Sequence, residues 1–206
     1  MNDPCRNSTY RQLPQETAHL LHQVAAPPRL VAHLILVHDV AATLVERVTA
    51  AFPEVTFRGE EVLFGASIHD FGKLVERSEL TGAGTQHEQR GVELLRSMGV
   101  SGERARFAYT HGNWDKVPSV NLEDLLVALA DKSWKGKRVD ALESKIVGLL
   151  SAASKKPEWS CYAELDEIVQ ELTKDADTRL AWQEAFEMSR AFRDRQSARM
   201  GYGQLS

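Results

Sequence analysis

The sequence predicts an all-α protein of one domain. Its apolar residues recur at steps of three and four along most of the chain, which is the period of an α-helix. No segment keeps the alternation of apolar and polar residues that indicates a half-buried strand. A chain of 206 residues is long enough for one sizeable core and short for two. We therefore expect a single-domain helical bundle.

Proline, glycine and capping residues divide the chain into its predicted helices. The predicted ranges are 16–24, 29–52, 60–68, 85–98, 101–111, 121–131, 139–150 and 162–199, the last as one or two helices. Thr85 with Glu88 three residues later predicts a capping box, and Asn121 is a favourable N-cap. Residues 79–85 contain two glycines and are predicted to form a loop.

We divide the chain into three parts on this basis. Residues 1–13 are polar and are expected to form a flexible N-terminal tail. Residues 14–150 form the helical core, and residues 151–206 form C-terminal helices packed on the same domain. The apolar residues of these last helices leave a homodimer open as an alternative to packing within one core.

Composition excludes several classes of protein. The net charge of −4 disfavours binding to nucleic acid or to an anionic membrane. Two cysteines in unrelated sequence contexts argue against a disulfide framework or a thiolate zinc site, and they suit a reducing compartment. No apolar run reaches the roughly 20 residues that a membrane helix needs. The expected location is the cytoplasm.

Six nitrogen- and oxygen-bearing side chains lie on, or at the end of, helices with an apolar face. They are His33, His69, Asp70, His87, His111 and Asp131. Imidazole and carboxylate groups are ligands that divalent metals accept. Because residues 62–68 are apolar, burying the adjacent His69 and Asp70 is costly unless a cation neutralises the carboxylate. Asp70 is the natural bridge between two metal ions, which would lie about 3.5–4 Å apart.

Several of these residues also have an ordinary structural interpretation. His33 fits a core histidine, His87 a cap or surface residue, and His111 a partner of a helix dipole. His38 is the alternative to His33 as the first ligand, although it is rotated by about 140° on the same helix. Lys73 fits a solvated face. The occurrence of all six candidates in one helical chain favours the metal site.

The order of these residues resembles the HD superfamily of metal-dependent phosphohydrolases. The matching segments are 29–33, 65–73, 87–95, 110–111 and 129–132. The resemblance implies that residues 14–150 are an HD-type metal-binding core. By that resemblance the first metal ion would be held by His33, His69, Asp70 and Asp131. The second would be held by His87 and His111, with Asp70 bridging the two.

The resemblance also implies an activity. The chain would hydrolyse a phosphate ester of a nucleotide or similar small phosphorylated metabolite, by attack of a metal-activated water. Asp70 and Lys73 would be the catalytic residues, with Lys73 facing the substrate phosphate. We hypothesise that Lys132, Lys135 or Arg138 extends this phosphate-binding surface. The cofactor would be one or two divalent ions among Mn, Fe, Co, Ni, Mg and Zn.

Two other functions stay open at the level of sequence. The same ligand set resembles that of mixed-valent diiron oxygenases on this fold. A non-catalytic nucleotide-binding regulatory domain is the third interpretation, and its signature would be a missing metal ligand. The expected partner is a small phosphorylated substrate, with neither a membrane nor nucleic acid involved.

Overall fold

This computed structural model describes the backbone of residues 9–201 and the side chains of residues 9–189. The described part of the chain contains ten α-helices and two short 3-10 helices. The α-helices are α1 (Gln15–Gln23), α2 (Pro28–Ala51), α3 (Gly59–Ile68), α4 (Gln86–Ser97), α5 (Gly102–Ala105), α6 (Phe107–Asn113), α7 (Leu122–Ser133), α8 (Asp140–Ser154), α9 (Glu158–Thr173) and α10 (Ala176–Gly201). The 3-10 helices, Phe71–Leu74 and Arg77–Leu80, lie between α3 and α4. Residues 9–201 contain no strand, and the all-α prediction is confirmed.

Helix α2 forms the centre of the bundle. Pro28 occupies its first turn, where a missing N–H costs nothing, and fourteen of its 24 residues are buried. It packs against α3, α7, α9 and α10. Its length and hydropathy would suffice to cross a membrane, but 72% of its apolar window is buried inside the bundle. The expectation that no apolar run reaches this length therefore underestimated α2, which the structure shows as a core helix.

The helices around α2 bring the candidate ligands to one end of the bundle. Helix α3 packs on α2 and α7, and it ends directly before His69 and Asp70. Helix α4 packs against α6 and the first 3-10 helix, with His87 in its first turn. His111 lies in α6 and Asp131 in the last turn of α7. Five segments that are distant in sequence thus meet at one place.

The helix caps differ in how well sequence predicted them. The Asn121 side chain accepts the backbone N–H of Asp124 at 2.9 Å, and the Asp124 carboxylate accepts the backbone N–H of Asn121, so the predicted N-cap of α7 is confirmed. The capping box predicted for Thr85 is wrong, since the Thr85 side chain makes no cap hydrogen bond. The carboxylate of Glu79 accepts the first backbone N–H groups of α4 instead.

Two further differences concern element boundaries. The helix predicted over 101–111 is two helices, α5 and α6, which meet at Arg106. Residues 1–8 of the predicted tail lie outside the described residues. At the C-terminal end of this predicted tail, the Arg11 guanidinium donates a hydrogen bond of 2.9 Å to the Glu46 carboxylate on α2, and Leu13 is buried. The last residues of the predicted tail are therefore held against the domain.

Candidate metal centre

The first cluster contains two imidazoles and two carboxylates. The Nε2 atoms of His33 and His69 lie 3.1 Å apart. Asp70 Oδ2 lies 3.0 Å from the first of these atoms and 3.6 Å from the second. Asp131 Oδ1 lies 3.7 Å and 3.4 Å from the same two nitrogens. Ligands at about 2.1 Å from a metal are about 3.0–3.4 Å from one another in octahedral or tetrahedral geometry, so these four atoms enclose a space suited to one cation.

The second cluster uses the other oxygen of Asp70. Asp70 Oδ1 lies 3.2 Å from His87 Nε2 and 3.6 Å from His111 Nε2. The two imidazole nitrogens lie 3.4 Å from each other. Because Asp70 turns one oxygen to each cluster, a single buried carboxylate connects the two groups of ligands.

Backbone carbonyls fix the orientation of two of the imidazoles. His69 Nδ1 donates to the Ala66 carbonyl at 2.9 Å, and His111 Nδ1 donates to the Ala108 carbonyl at 3.0 Å. Each carbonyl belongs to the helical turn that precedes the histidine. These bonds place the proton on Nδ1 and leave the Nε2 lone pair facing the cluster, which is the form that binds a metal.

Electrostatics place the buried carboxylates in their charged form. Burial raises the pKa of Asp70, but the imidazoles of His69, His33 and His87 outweigh it and hold the pKa well below its usual range. Burial likewise raises the pKa of Asp131, and the Lys132 ammonium with His69 holds it well below its usual range. Both groups are therefore ionised at neutral pH.

The pKa values of His33, His111 and His87 shift in different directions. Burial lowers the pKa of His33, and burial together with the neighbouring His69 lowers the pKa of His111 to about 3. His87 behaves differently: burial lowers its pKa, but the carboxylates of Asp70 and Glu79 outweigh burial and raise it. Neutral imidazoles and ionised carboxylates are the states in which these side chains bind a metal ion.

A cavity of about 510 Å³ opens directly over both clusters. Lys73 and Lys132 line it, and their ammonium groups lie 2.5 Å from Asp70 Oδ2 and Asp131 Oδ2. Lys135 also lines it, with its ammonium 6.0 Å from the ring centre of Trp134. The cavity wall is therefore rich in positive charge beside the candidate ligands.

The structure does not bring Arg138 to this cavity. Its guanidinium forms ion pairs with Glu143 on α8 and, at 2.6 Å, with Asp166 on α9. Arg138 is also absent from the residues that line the cavity. Of the three residues considered for a phosphate-binding surface, Lys132 and Lys135 line the cavity, whereas two carboxylates on later helices hold the Arg138 guanidinium.

His38 lies apart from both clusters. It is buried on α2, and its Nδ1 atom finds no hydrogen-bond partner among the described residues. His33, five residues earlier, is the histidine of α2 that contacts Asp70, at 3.0 Å. The rotation between the two positions on one helix accounts for this separation.

Sequence reasoning missed Glu79. Its carboxylate accepts a hydrogen bond from His87 Nδ1 at 2.5 Å, and it lines the cavity. The available signal was the position of His87 in the first turn of α4, where no preceding helical carbonyl can hold Nδ1. This position indicates that a residue before α4, such as an acidic one, accepts the Nδ1 proton.

Comparison with protein families identifies this arrangement. A model of the HD domain family matches residues 30–133, which is just over half of the chain. The chain belongs to the HD domain family. The matched range of this HD domain extends across both clusters, from His33 to Asp131. Comparisons with curated proteins and with solved structures gave no match.

The donor set of this HD domain fits divalent cations. Among the described residues, one group of close donor atoms joins His33, His69 and Asp131, and another joins His69, Asp70 and His111. All five side chains are buried, so two ionised carboxylates are held away from water. Lys73 and Lys132 already pair with these carboxylates, so the fit to a cation comes from the imidazole nitrogens and carboxylate oxygens that lie at ligand distances from one another.

Proposed function

We propose that this HD domain hydrolyses the phosphate ester of a nucleotide or similar small phosphorylated metabolite. The observation that carries the proposal is the placement of Asp70. Its two oxygens face two separate imidazole pairs, and a cavity lined by lysines lies directly above. Two ligand clusters that share a carboxylate support in-line displacement at phosphorus when both hold a metal.

Size and lining of the cavity support a small-molecule substrate. A volume of about 510 Å³ lies within the range of roughly 300–1,000 Å³ typical of ligand pockets. The apolar part of the cavity wall is formed by Leu30, Leu80, Leu180 and Trp134. Lys73 and Lys132 lie beside the candidate metal ligands. This division suits a molecule with an anionic group at one end and an organic part at the other.

The roles of the protein groups follow from their positions. Divalent cations bound in the two clusters would polarise the phosphoryl group and increase the acidity of a nearby water molecule. Asp70 and Asp131 supply the negative charge that holds these cations. The Lys73 ammonium, 2.5 Å from Asp70, is placed to donate a hydrogen bond to a phosphoryl oxygen and to stabilise charge that develops on it.

A diiron oxygenase is the second candidate. The observation in its favour is the nitrogen-rich donor set, in which four imidazoles accompany the bridging carboxylate. Hydrolysis is preferred because Lys73 and Lys132 place cations beside the ligands, as a phosphate ester requires. Oxygen consumption with substrate and an iron EPR signal would favour the oxygenase. A regulatory domain without activity is disfavoured, since no expected ligand is missing.

The test is phosphate release from a panel of phosphorylated metabolites. Purified protein is assayed with Mn²⁺, Co²⁺, Ni²⁺, Mg²⁺ or Fe²⁺, and the variant Asp70→Asn is assayed beside it. We expect release by the wild type and its loss in the variant, because the amide cannot provide two anionic oxygens. Asp115→Asn is the matched control, since Asp115 is exposed and lies outside the cavity wall. Activity that survives Asp70→Asn contradicts the proposal.

A further inference from the structure

His87 differs from His69 and His111 in what holds its Nδ1 atom. Helical carbonyls hold the Nδ1 atoms of His69 and His111. His87 is the second residue of α4, so no helical carbonyl precedes it. The carboxylate of Glu79, from the second 3-10 helix, accepts its Nδ1 proton at 2.5 Å instead. The orientation of His87 thus depends on a separate element of the chain.

Hydrogen bonds and close packing fix the position of the Glu79 side chain. Its Oε1 atom accepts the backbone N–H of Gln86 at 3.1 Å, and its Oε2 atom accepts that of His87 at 3.3 Å. The side chain is buried, and a Cβ at Gly84 would lie 2.2 Å from Oε1. The loop therefore wraps closely around a carboxylate whose oxygens bond both the start of α4 and the imidazole.

A second carboxylate stands behind the same imidazole. Glu88 is buried, and its Oε2 atom lies 3.8 Å from His87 Nδ1. This atom has no hydrogen-bond partner among the described side chains. Two carboxylates therefore face the Nδ1 side of His87, while Asp70 faces its Nε2 side. The one that accepts the Nδ1 proton, Glu79, makes the imidazole a more basic ligand for a cation.

The segment that carries Glu79 is also a wall of the cavity. Leu80, Thr81, Gly82 and Gly84 line the cavity. Arg29, at the start of α2, donates from Nε to the Leu80 carbonyl at 3.2 Å. In this short segment, Glu79 therefore holds His87, and the residues directly after Glu79 form part of the cavity wall.

We propose that Glu79 is a positioning residue, which holds His87 for the second metal ion and couples occupation of that position to the cavity wall at residues 80–84. The inference rests on the two-ion site of the proposed function. It assigns to Glu79 a role that acts through His87, with no contact between Glu79 and the substrate phosphate. Outer carboxylates that orient a ligand histidine typically contribute about 10–100-fold to metal affinity.

The experiment measures metal binding by the full chain. Metal-free protein is titrated with Mn²⁺ by calorimetry, for the wild type, Glu79→Ala and Glu79→Gln. The wild type should bind two equivalents. Glu79→Ala should weaken the second by about 10–100-fold and leave the first unchanged. Glu79→Gln should lose less, because its amide oxygen still accepts the Nδ1 proton without the negative charge.

A matched control lies one residue before the same 3-10 helix. Glu76 pairs with Arg90 at 3.6 Å, and among the described residues no ion pair joins it to a candidate ligand. Glu76→Gln should therefore bind both equivalents as the wild type does. If it weakens the second equivalent as Glu79→Ala does, the effect belongs to the loop and the inference is overturned.

Hydrogen exchange tests the coupling itself. The second equivalent of Mn²⁺ should slow amide exchange at residues 80–84 in the wild type and leave it unchanged in Glu79→Ala. The inference is overturned if both equivalents weaken together, if neither weakens, or if the wild type binds only one. Normal metal binding without phosphate release would contradict the proposed hydrolysis and leave the role of Glu79 standing.

Discussion

The backbone of Gly72 packs directly on the carbonyl group of His87. A Cβ at Gly72 would lie 1.8 Å from that carbonyl oxygen and 2.6 Å from its carbon. These neighbours are backbone atoms, so no side-chain rotation can make room. The contact joins the segment after Asp70 to the first turn of α4, and this junction allows one carboxylate to face both clusters.

Replacing Gly72 by alanine should therefore destabilise the fold and displace His87. Overpacking in a close-packed site costs about 1–3 kcal/mol. The measurement is urea unfolding of metal-free protein, followed by titration with Mn²⁺. We expect a lower free energy of unfolding and a weaker second equivalent.

Gly148→Ala is the control for Gly72→Ala. Gly148 lies inside α8, and a Cβ there would meet no atom within 4 Å. The same substitution should stabilise the protein by about 0.5–1 kcal/mol, because alanine favours the helix. Equal effects at the two glycines would show that the contact with His87 is unimportant.

Lys73 should be required for turnover but not for metal binding. Loss of a donor that stabilises developing charge lowers the rate by about 10²–10³-fold. We expect Lys73→Gln to lower kcat/KM by that factor while the metal content stays that of the wild type. Lys137→Gln is the control, since Lys137 is exposed and lies outside the cavity wall. A loss of activity in proportion to lost metal would assign Lys73 a structural role.

His38 should make the fold sensitive to acid. Burial lowers its pKa from 6.5 to about 4. The unfolded chain therefore binds a proton that the folded chain does not, and stability falls as the pH drops from about 6.5 to about 4. A shift of this size corresponds to about 3 kcal/mol over that range.

The variant His38→Gln tests this account. The wild type should lose stability relative to the variant as the solution is acidified, measured by urea unfolding at pH 7, 5.5 and 4. Metal content should be unchanged, whereas His33→Gln should reduce it. If the free energy of unfolding changes equally with pH in the wild type and the variant, His38 does not titrate as described.

Sequence predicted several local features, although not the cap of α4, and it missed contacts that depend on how distant segments fold together. The helical period and the Asn121 cap depend on neighbouring residues, and both were predicted correctly. Glu79 could not be found in this way, because its bond to His87 depends on how the loop folds back on α4. Arg138 was misplaced because charge near Asp131 carries no information on direction, which Glu143 and Asp166 determine.

Metal content tests the central claim most directly. The account holds that six side chains from five segments form one metal centre around Asp70. Elemental analysis of the chain after equilibration with Mn²⁺ and removal of free ions should find at least one equivalent in the wild type and in Asp115→Asn. Asp70→Asn should retain much less. A wild type that retains no stoichiometric metal, or an Asp70→Asn variant that retains as much as the wild type, would contradict the account.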